Sequence, residues 1–155
     1  SGYLGVNPSE ALRLLQETVS AVENAGAVSA IHCCGKADWP MVIQSNVKII
    51  NFDAYEYSET ISLYPQEFVD FLRAGGYLAW GIIPTTEAII TEHMTSIRNR
   101  FDKQMKFLAR SIPSELLHSQ ILLTPACGAG SRSTDEAAKV FEMLTELKTS
   151  LSTVS

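Results

Sequence analysis

Four short apolar runs alternate with helical patterns along this chain, and that alternation restricts the fold more than any other feature of the sequence. The runs cover residues 27–34, 47–53, 77–83 and 121–124. They are too short for buried helices and are bounded by turn residues, so they predict strands. Because each is apolar along its length and is followed by a helix, they indicate a parallel sheet covered on both sides or a barrel wrapped in helices.

The helical segments are identified by apolar residues that recur at spacings of three and four. The first helix, at 8–25, has Asn7 as its cap and ends at Gly26. Further helices are predicted at 38–44, 65–74 and 86–111, and a last one starts at the capping box 133–136. Four such βα units make an α/β fold of one domain over residues 1–155, half of a TIM (β/α)8 barrel. Residues 1–6 resemble the end of a preceding loop, so we expect the natural chain to continue upstream.

Composition excludes several classes of partner. The 155 residues are 46% hydrophobic and 19% charged, which is typical of one soluble globular domain. The 12 basic and 17 acidic side chains give a net charge of -5 without a basic stripe, so no nucleic acid is expected. No apolar run is long enough for a bilayer and no signal peptide is visible, so we expect a cytoplasmic protein without a membrane partner.

Two of the three cysteines and one histidine predict a metal site. In a strand, side chains alternate between faces, so His32 and Cys34 point to one side and Cys33 to the other. Cys127 follows the fourth strand, and Asp53 closes the second, so in a barrel both would stand at the same rim. Imidazole and thiolate are ligands that zinc prefers, and a Cys2His set with an exchangeable acid describes a catalytic Zn2+.

The same residues have plainer interpretations. A buried cysteine is common as a small hydrophobic residue, which is how we interpret Cys33, and a lone histidine often only hydrogen-bonds a neighbour. A redox pair of Cys33 and Cys34 is disfavoured because adjacent cysteines form a strained disulfide. If the metal binds, a zinc ion with two thiolate ligands suits activation of another thiol, which then attacks an electrophilic methyl group.

These motifs resemble a known family. His32-x-Cys34, the acid that closes 49–53 and the segment 127–132 resemble the carboxyl-terminal catalytic barrel of cobalamin-independent methionine synthase, whose wider group includes corrinoid-dependent thiol methyltransferases and uroporphyrinogen decarboxylase. The resemblance implies a zinc methyltransferase of methionine biosynthesis that activates homocysteine or a similar small thiol. It also implies that the amino-terminal half of the barrel is missing here, which would leave this piece inactive. The family has Glu at the strand-end acid, whereas this chain has Asp53, with Glu56 as a rival ligand.

The resemblance leaves partners open. A methylfolate or a methylcorrinoid protein would serve as methyl donor, and a homodimer would cover the open sheet edges. Arg132, Thr85 and Trp39 are the candidate substrate contacts. Two other hypotheses remain: a metal-free uroporphyrinogen decarboxylase-like scaffold that binds a tetrapyrrole or corrinoid partner, and a module in which zinc only stabilises the rim.

Overall fold

The computed structural model describes residues 7–152 and contains a four-stranded parallel sheet. Neighbouring strands lie in chain order and all run in the same direction, so their carboxyl ends lie at one edge. This confirms the α/β class and the parallel sheet predicted from the sequence. The strands are β1 (Ala30–Cys33), β2 (Ile49–Asp53), β3 (Tyr77–Ile83) and β4 (Ile121–Pro125).

Helices connect successive strands and flank the sheet at both ends of the described chain. No helix within residues 7–152 has the length and apolar character needed to cross a bilayer. The helices are α1 (Pro8–Asn24), α2 (Trp39–Gln44), α3 (Ala54–Tyr57), the 3₁₀ helix (Ser58–Leu63), α4 (Pro65–Arg73), α5 (Ala88–Thr91), α6 (Met94–Leu108), α7 (Ser114–Ser119) and α8 (Thr134–Ser152).

Capping residues define the starts of the first and last helices as the sequence predicts. The Asn7 side chain accepts a hydrogen bond from the Ser9 backbone, with Pro8 at the first helical position. Ahead of α8, Ser133 and Glu136 bond reciprocally, with the Glu136 carboxylate accepting from the Ser133 backbone at 2.9 Å. Both helix starts therefore follow from local sequence alone.

The connection between β3 and β4 differs from the prediction. The sequence predicts one helix over 86–111, but the structure divides it into α5 and α6, with Glu92 and His93 extended between them. Glu92 is buried, and it accepts hydrogen bonds from the hydroxyl of Tyr55 and from the His93 backbone. These bonds hold the chain out of helical geometry, which apolar periodicity does not reveal. The helical segments at 54–63 and 114–119 were also not predicted.

The two faces of the sheet are covered unequally. In a parallel sheet, residues paired in register point to the same face. On the packed face Ile50, Phe52 and Trp80 are at most 1% exposed, whereas on the opposite face, the open face, His32 and Leu122 are exposed. One of the two sequence interpretations requires a sheet that is covered on both sides. Within residues 7–152 the cover is unequal.

Candidate metal centre

The structure brings the three predicted metal ligands together. His32 lies on β1, Cys34 follows β1 directly, and Cys127 comes two residues after β4. One donor atom of each lies within 4.8 Å of the others, and all three residues are exposed. We call these three residues the metal group. Their convergence at the carboxyl edge of the sheet agrees with the arrangement predicted from the sequence.

This convergence requires a concave sheet. β1 and β4 are the two edge strands, and three strand spacings would separate them by about 14 Å in a flat sheet. On the open face, side chains of β2 and β4 nevertheless meet over β3. The amide nitrogen of Asn51 donates to the hydroxyl of Thr124 at 2.8 Å. The sheet therefore curves toward the open face, and groups from both edges meet above its middle strands.

Gly81 allows the chain after β4 to approach β3. A Cβ atom at Gly81 would lie 2.8 Å from the Cα of Ala126 and against the carbonyl oxygen of Phe52. The close approach is fixed by the backbone of Ala126, which donates to the carbonyl of Ile83 at 2.8 Å. Since Ala126 precedes Cys127, the missing side chain at Gly81 helps to set where that thiol stands.

Asn51 holds the histidine of the metal group, and sequence reasoning assigned it no role. Its Oδ1 lies 2.5 Å from Nδ1 of His32, which is its register partner on β1. Its amide nitrogen donates to the carbonyl of Ala79 at 2.9 Å as well as to Thr124. Alternation along β2 places Asn51 on the same face as Asp53, but only the register of β1 against β2 shows that it meets His32.

The two candidate acids lie outside the metal group. Asp53 ends β2 and its Oδ1 accepts from the Glu56 backbone at 2.9 Å, which caps α3. Burial raises the pKa of Asp53, and this backbone hydrogen bond opposes the shift in part. Glu56 is exposed and is not in the group either. Within residues 7–152 the group thus has three protein donors, and an acidic fourth ligand stays a prediction.

Cys33 points away from the metal group. It is half-buried and packs against the hydrophobic core on the other side of β1. Burial is the larger cause that raises the pKa of the Cys33 thiol, and the neighbouring thiol of Cys34 is the smaller one. Its thiol therefore lies in a different environment from those of Cys34 and Cys127, as strand alternation predicts.

The three candidate substrate contacts occupy different environments. Trp39 is fully buried, donates from Nε1 to Thr60 and packs edge-on against aromatic rings of the core. Thr85 follows β3 and is also buried. Arg132 is half-buried, and its Nε has no hydrogen-bond partner among residues 7–152. Of the three, Arg132 thus keeps an unsatisfied donor, close in the chain to Cys127.

A second polar cluster follows the ends of β2 and β3. The hydroxyl of Tyr55 donates to Glu92 at 2.7 Å, and the guanidinium of Arg100 lies 4.1 Å over the Tyr55 ring and donates to the Tyr55 carbonyl at 3.0 Å. Burial acts to raise the pKa of Glu92, but hydrogen bonds from Tyr55, Ser96 and the His93 backbone outweigh it, so the pKa is lowered. We call Tyr55, Glu92 and Arg100 the Tyr55 cluster. Sequence analysis did not identify it.

No protein-family model matches this chain, and no curated protein matches it. The donors of the metal group, their spacing and the residues that surround them are therefore the features that indicate a function.

Proposed function

We propose that this chain is the zinc-bearing half of a thiol methyltransferase of methionine-synthase type, with His32, Cys34 and Cys127 as zinc ligands. The observation that supports this most is the convergence of the three donors, from the two edge strands, to within 4.8 Å. Burial does not account for the meeting, since all three residues are exposed. Exposed thiols and an imidazole aimed at one point are what a metal site requires.

The donor set fits zinc. Zinc binds thiolate at about 2.3 Å and imidazole at about 2.0–2.1 Å in a tetrahedron, which separates the donors by about 3.5 Å. The observed limit of 4.8 Å is within reach of that spacing by small side-chain rotations. Three protein donors leave a fourth position, as in catalytic rather than structural zinc sites. Asp53 would have to move toward the metal group to fill it, because it does not belong to the group as it stands and its Oδ1 accepts from the Glu56 backbone.

The chemistry follows from the ligands. When bound, zinc supplies the positive charge that keeps an incoming thiol deprotonated near neutral pH. Cys34 and Cys127 moderate that charge because thiolates are electron-rich, so the sulfur of the substrate retains nucleophilicity. A new S–CH3 bond forms as the bond between the methyl group and its donor breaks. The electron pair of that bond stays on the donor, a methylfolate or a methylcorrinoid protein, and the thiol proton passes to solvent.

Arg132 supports an amino-acid thiol as acceptor. Its guanidinium carries a buried Nε without a partner in residues 7–152, as does that of Arg100, and of the two only Arg132 follows Cys127 closely in the chain. Arginine binds carboxylates through paired, charge-assisted hydrogen bonds. Homocysteine carries a carboxylate as well as a thiol, and Arg132, five residues after Cys127 in the chain, is the proposed partner of that carboxylate.

The fold proposed for this activity is the carboxyl-terminal half of a TIM (β/α)8 barrel. Three features support it: strands in chain order, a sheet that is concave toward its less covered face, and donors at the carboxyl ends of the strands. Four further βα units, or a second copy of this chain, would pair with the outer edges of β1 and β4, which have no neighbouring strand within residues 7–152, and would cover the open face. Such a partner would also supply the rest of the substrate pocket.

The proposal is tested by cobalt(II) in place of zinc, because thiolate-to-cobalt absorption reports sulfur ligands. We expect one cobalt per chain and additional thiolate absorption when homocysteine is added, but none with homoserine, which has oxygen in place of sulfur. Arg132→Gln should keep the cobalt and bind homocysteine about 10- to 100-fold more weakly, because one charged hydrogen bond contributes about 1.5–3 kcal/mol.

The other outcomes discriminate between the hypotheses. Cobalt that binds without any response to homocysteine would favour a zinc ion that only stabilises the rim. A protein that takes up no cobalt would contradict the methyltransferase and favour the metal-free scaffold for a tetrapyrrole or corrinoid.

A further inference from the structure

Asn51 occupies a central place on the open face of the sheet. It lies in the middle of β2, and its side-chain amide contacts a group on each of the other three strands: His32 of β1, the Ala79 carbonyl of β3 and the Thr124 hydroxyl of β4. Each of these three partner atoms lies within 2.9 Å of an atom of the Asn51 amide. A side chain held at three points has little rotational freedom, so the end that faces His32 is fixed.

The hydrogen-bond partners determine which end that is. The Ala79 carbonyl only accepts hydrogen bonds, so the amide group that faces it must be the NH2 of Asn51. The carbonyl oxygen of the amide is then the atom 2.5 Å from Nδ1 of His32. Because this oxygen only accepts, Nδ1 of His32 must carry the hydrogen and donate it. In a neutral imidazole, the lone pair is then on Nε2.

We propose that Asn51 is the positioning residue of the metal group and that it selects the Nδ1–H tautomer of His32, so that Nε2 is the nitrogen that binds the metal. The proposal rests on the proposed zinc site. Metal-binding histidines are commonly oriented by a hydrogen bond from their second ring nitrogen. Here the acceptor is a neutral amide, so it orients the ring without adding negative charge next to two thiolates. A carboxylate would reduce the Lewis acidity of the ion further.

The tautomer provides a test that needs no metal. In water, a neutral histidine favours the hydrogen on Nε2, so the Nδ1–H form in the protein would reflect this contact. With ¹⁵N-labelled imidazoles in mildly alkaline buffer, NMR should show the Nδ1–H pattern for His32 in the metal-free wild type. Asn51→Leu, which has a similar volume and no acceptor, should shift His32 toward Nε2–H. The signals of the other two histidines are assigned with His93→Gln and His118→Gln.

Zinc affinity, measured by competition with a chromophoric chelator, gives the second readout. Asn51→Leu should weaken zinc binding about 10- to 100-fold, the usual effect of losing such a partner. Asn51→Asp keeps an oxygen toward His32 but loses the donor to Ala79, so it should lower stability and yet preserve the tautomer and most of the affinity. Thr124→Val, which removes one acceptor of the amide and leaves the contact with His32, serves as the matched control.

The results separate this inference from the function on which it rests. A wild type with the Nε2–H tautomer, or an Asn51→Leu variant with unchanged zinc affinity, would overturn the role of Asn51 while leaving the zinc site in place. Equal losses of affinity in Asn51→Leu and Asn51→Asp, in proportion to their losses of stability, would also overturn it. A wild type that binds no zinc would overturn the proposed function itself, and the metal-binding part of this inference with it.

Discussion

The metal group and the Tyr55 cluster both follow strand ends, but the side chains of the Tyr55 cluster hydrogen-bond and stack with each other and those of the metal group do not. Tyr55 and Glu92 share a hydrogen bond, and Arg100 stacks on the Tyr55 ring. In the metal group, three exposed side chains converge within 4.8 Å, and no hydrogen bond or ion pair within residues 7–152 joins them. Polar groups that bind each other stabilise a fold, whereas donors that converge without binding each other are the arrangement that the proposed zinc site requires.

This difference predicts that the Tyr55 cluster contributes to the stability of the fold and the metal group to metal binding, and substitutions can test it. Changes in the metal group should alter metal binding and leave the metal-free fold nearly unchanged. Changes in the Tyr55 cluster should alter the fold and leave metal binding nearly unchanged. The following substitutions test that division, from the largest expected effect to the smallest.

Cys34→Ser and Cys127→Ser should each lower zinc affinity by on the order of 10²- to 10³-fold. This is the loss expected for one ligand when the binding free energy of structural zinc sites, roughly 10–16 kcal/mol, is divided among the ligands. The free energy of unfolding of the metal-free protein should change by less than about 0.5 kcal/mol, because both thiols are exposed. Chelator competition and urea unfolding in the presence of a metal chelator measure the two effects. A variant with wild-type affinity would remove that thiol from the ligand set.

Gly81→Ala should affect both properties. Its Cβ would press on the backbone at Phe52 and Ala126, so we expect destabilisation of about 1–3 kcal/mol, typical of overpacking, and weaker zinc binding through displacement of Cys127. Gly35→Ala is the matched control beside Cys34, since a Cβ there meets nothing within 4 Å. Equal behaviour of the two variants would contradict the role of Gly81 in placing Cys127.

Glu92→Gln should destabilise the fold by about 1–3 kcal/mol at neutral pH, because the bonds of a buried carboxylate are weakened, with zinc affinity unchanged. The folded-state pKa of Glu92 is lowered, so its stabilisation is present above the unfolded value of about 4.3 and is lost as the pH falls through the folded value. Urea unfolding at several pH values should show the difference from wild type closing in acid. The exposed Glu87→Gln is the control, and a gap that is constant with pH would contradict the assignment.

Cys33→Ala should have the smallest effect. Its thiol packs on the helix side of β1, so zinc stoichiometry and affinity should stay at wild-type values and stability should fall by less than about 1 kcal/mol. Metal analysis and urea unfolding check the two parts. Zinc loss in this variant would mean that the alternation of faces along β1 does not decide which cysteine binds.

Much of the fold follows from local sequence. The bounds of β3 agree with the prediction, and the starts of α1 and α8 follow their caps. The convergence of His32, Cys34 and Cys127 was also predictable, because parallel strands bring their carboxyl ends to one edge.

Contacts between residues that are distant in the chain could not be predicted from the sequence. Asn51 meets His32 only because β1 and β2 pair in that register. Glu92 interrupts the predicted helix because Tyr55, which is distant in the chain, bonds to it. Gly81 matters because the chain after β4 approaches it. Periodicity and capping describe neighbours along the chain, so such contacts between elements lie beyond them.

The zinc content and ligand shell of the wild-type protein test the central claim most directly. The account predicts one zinc per chain by native mass spectrometry, and two sulfur scatterers at about 2.3 Å by X-ray absorption at the zinc edge. A protein that stays free of zinc after metal is added, or a bound zinc with no sulfur in its first shell, would contradict the account.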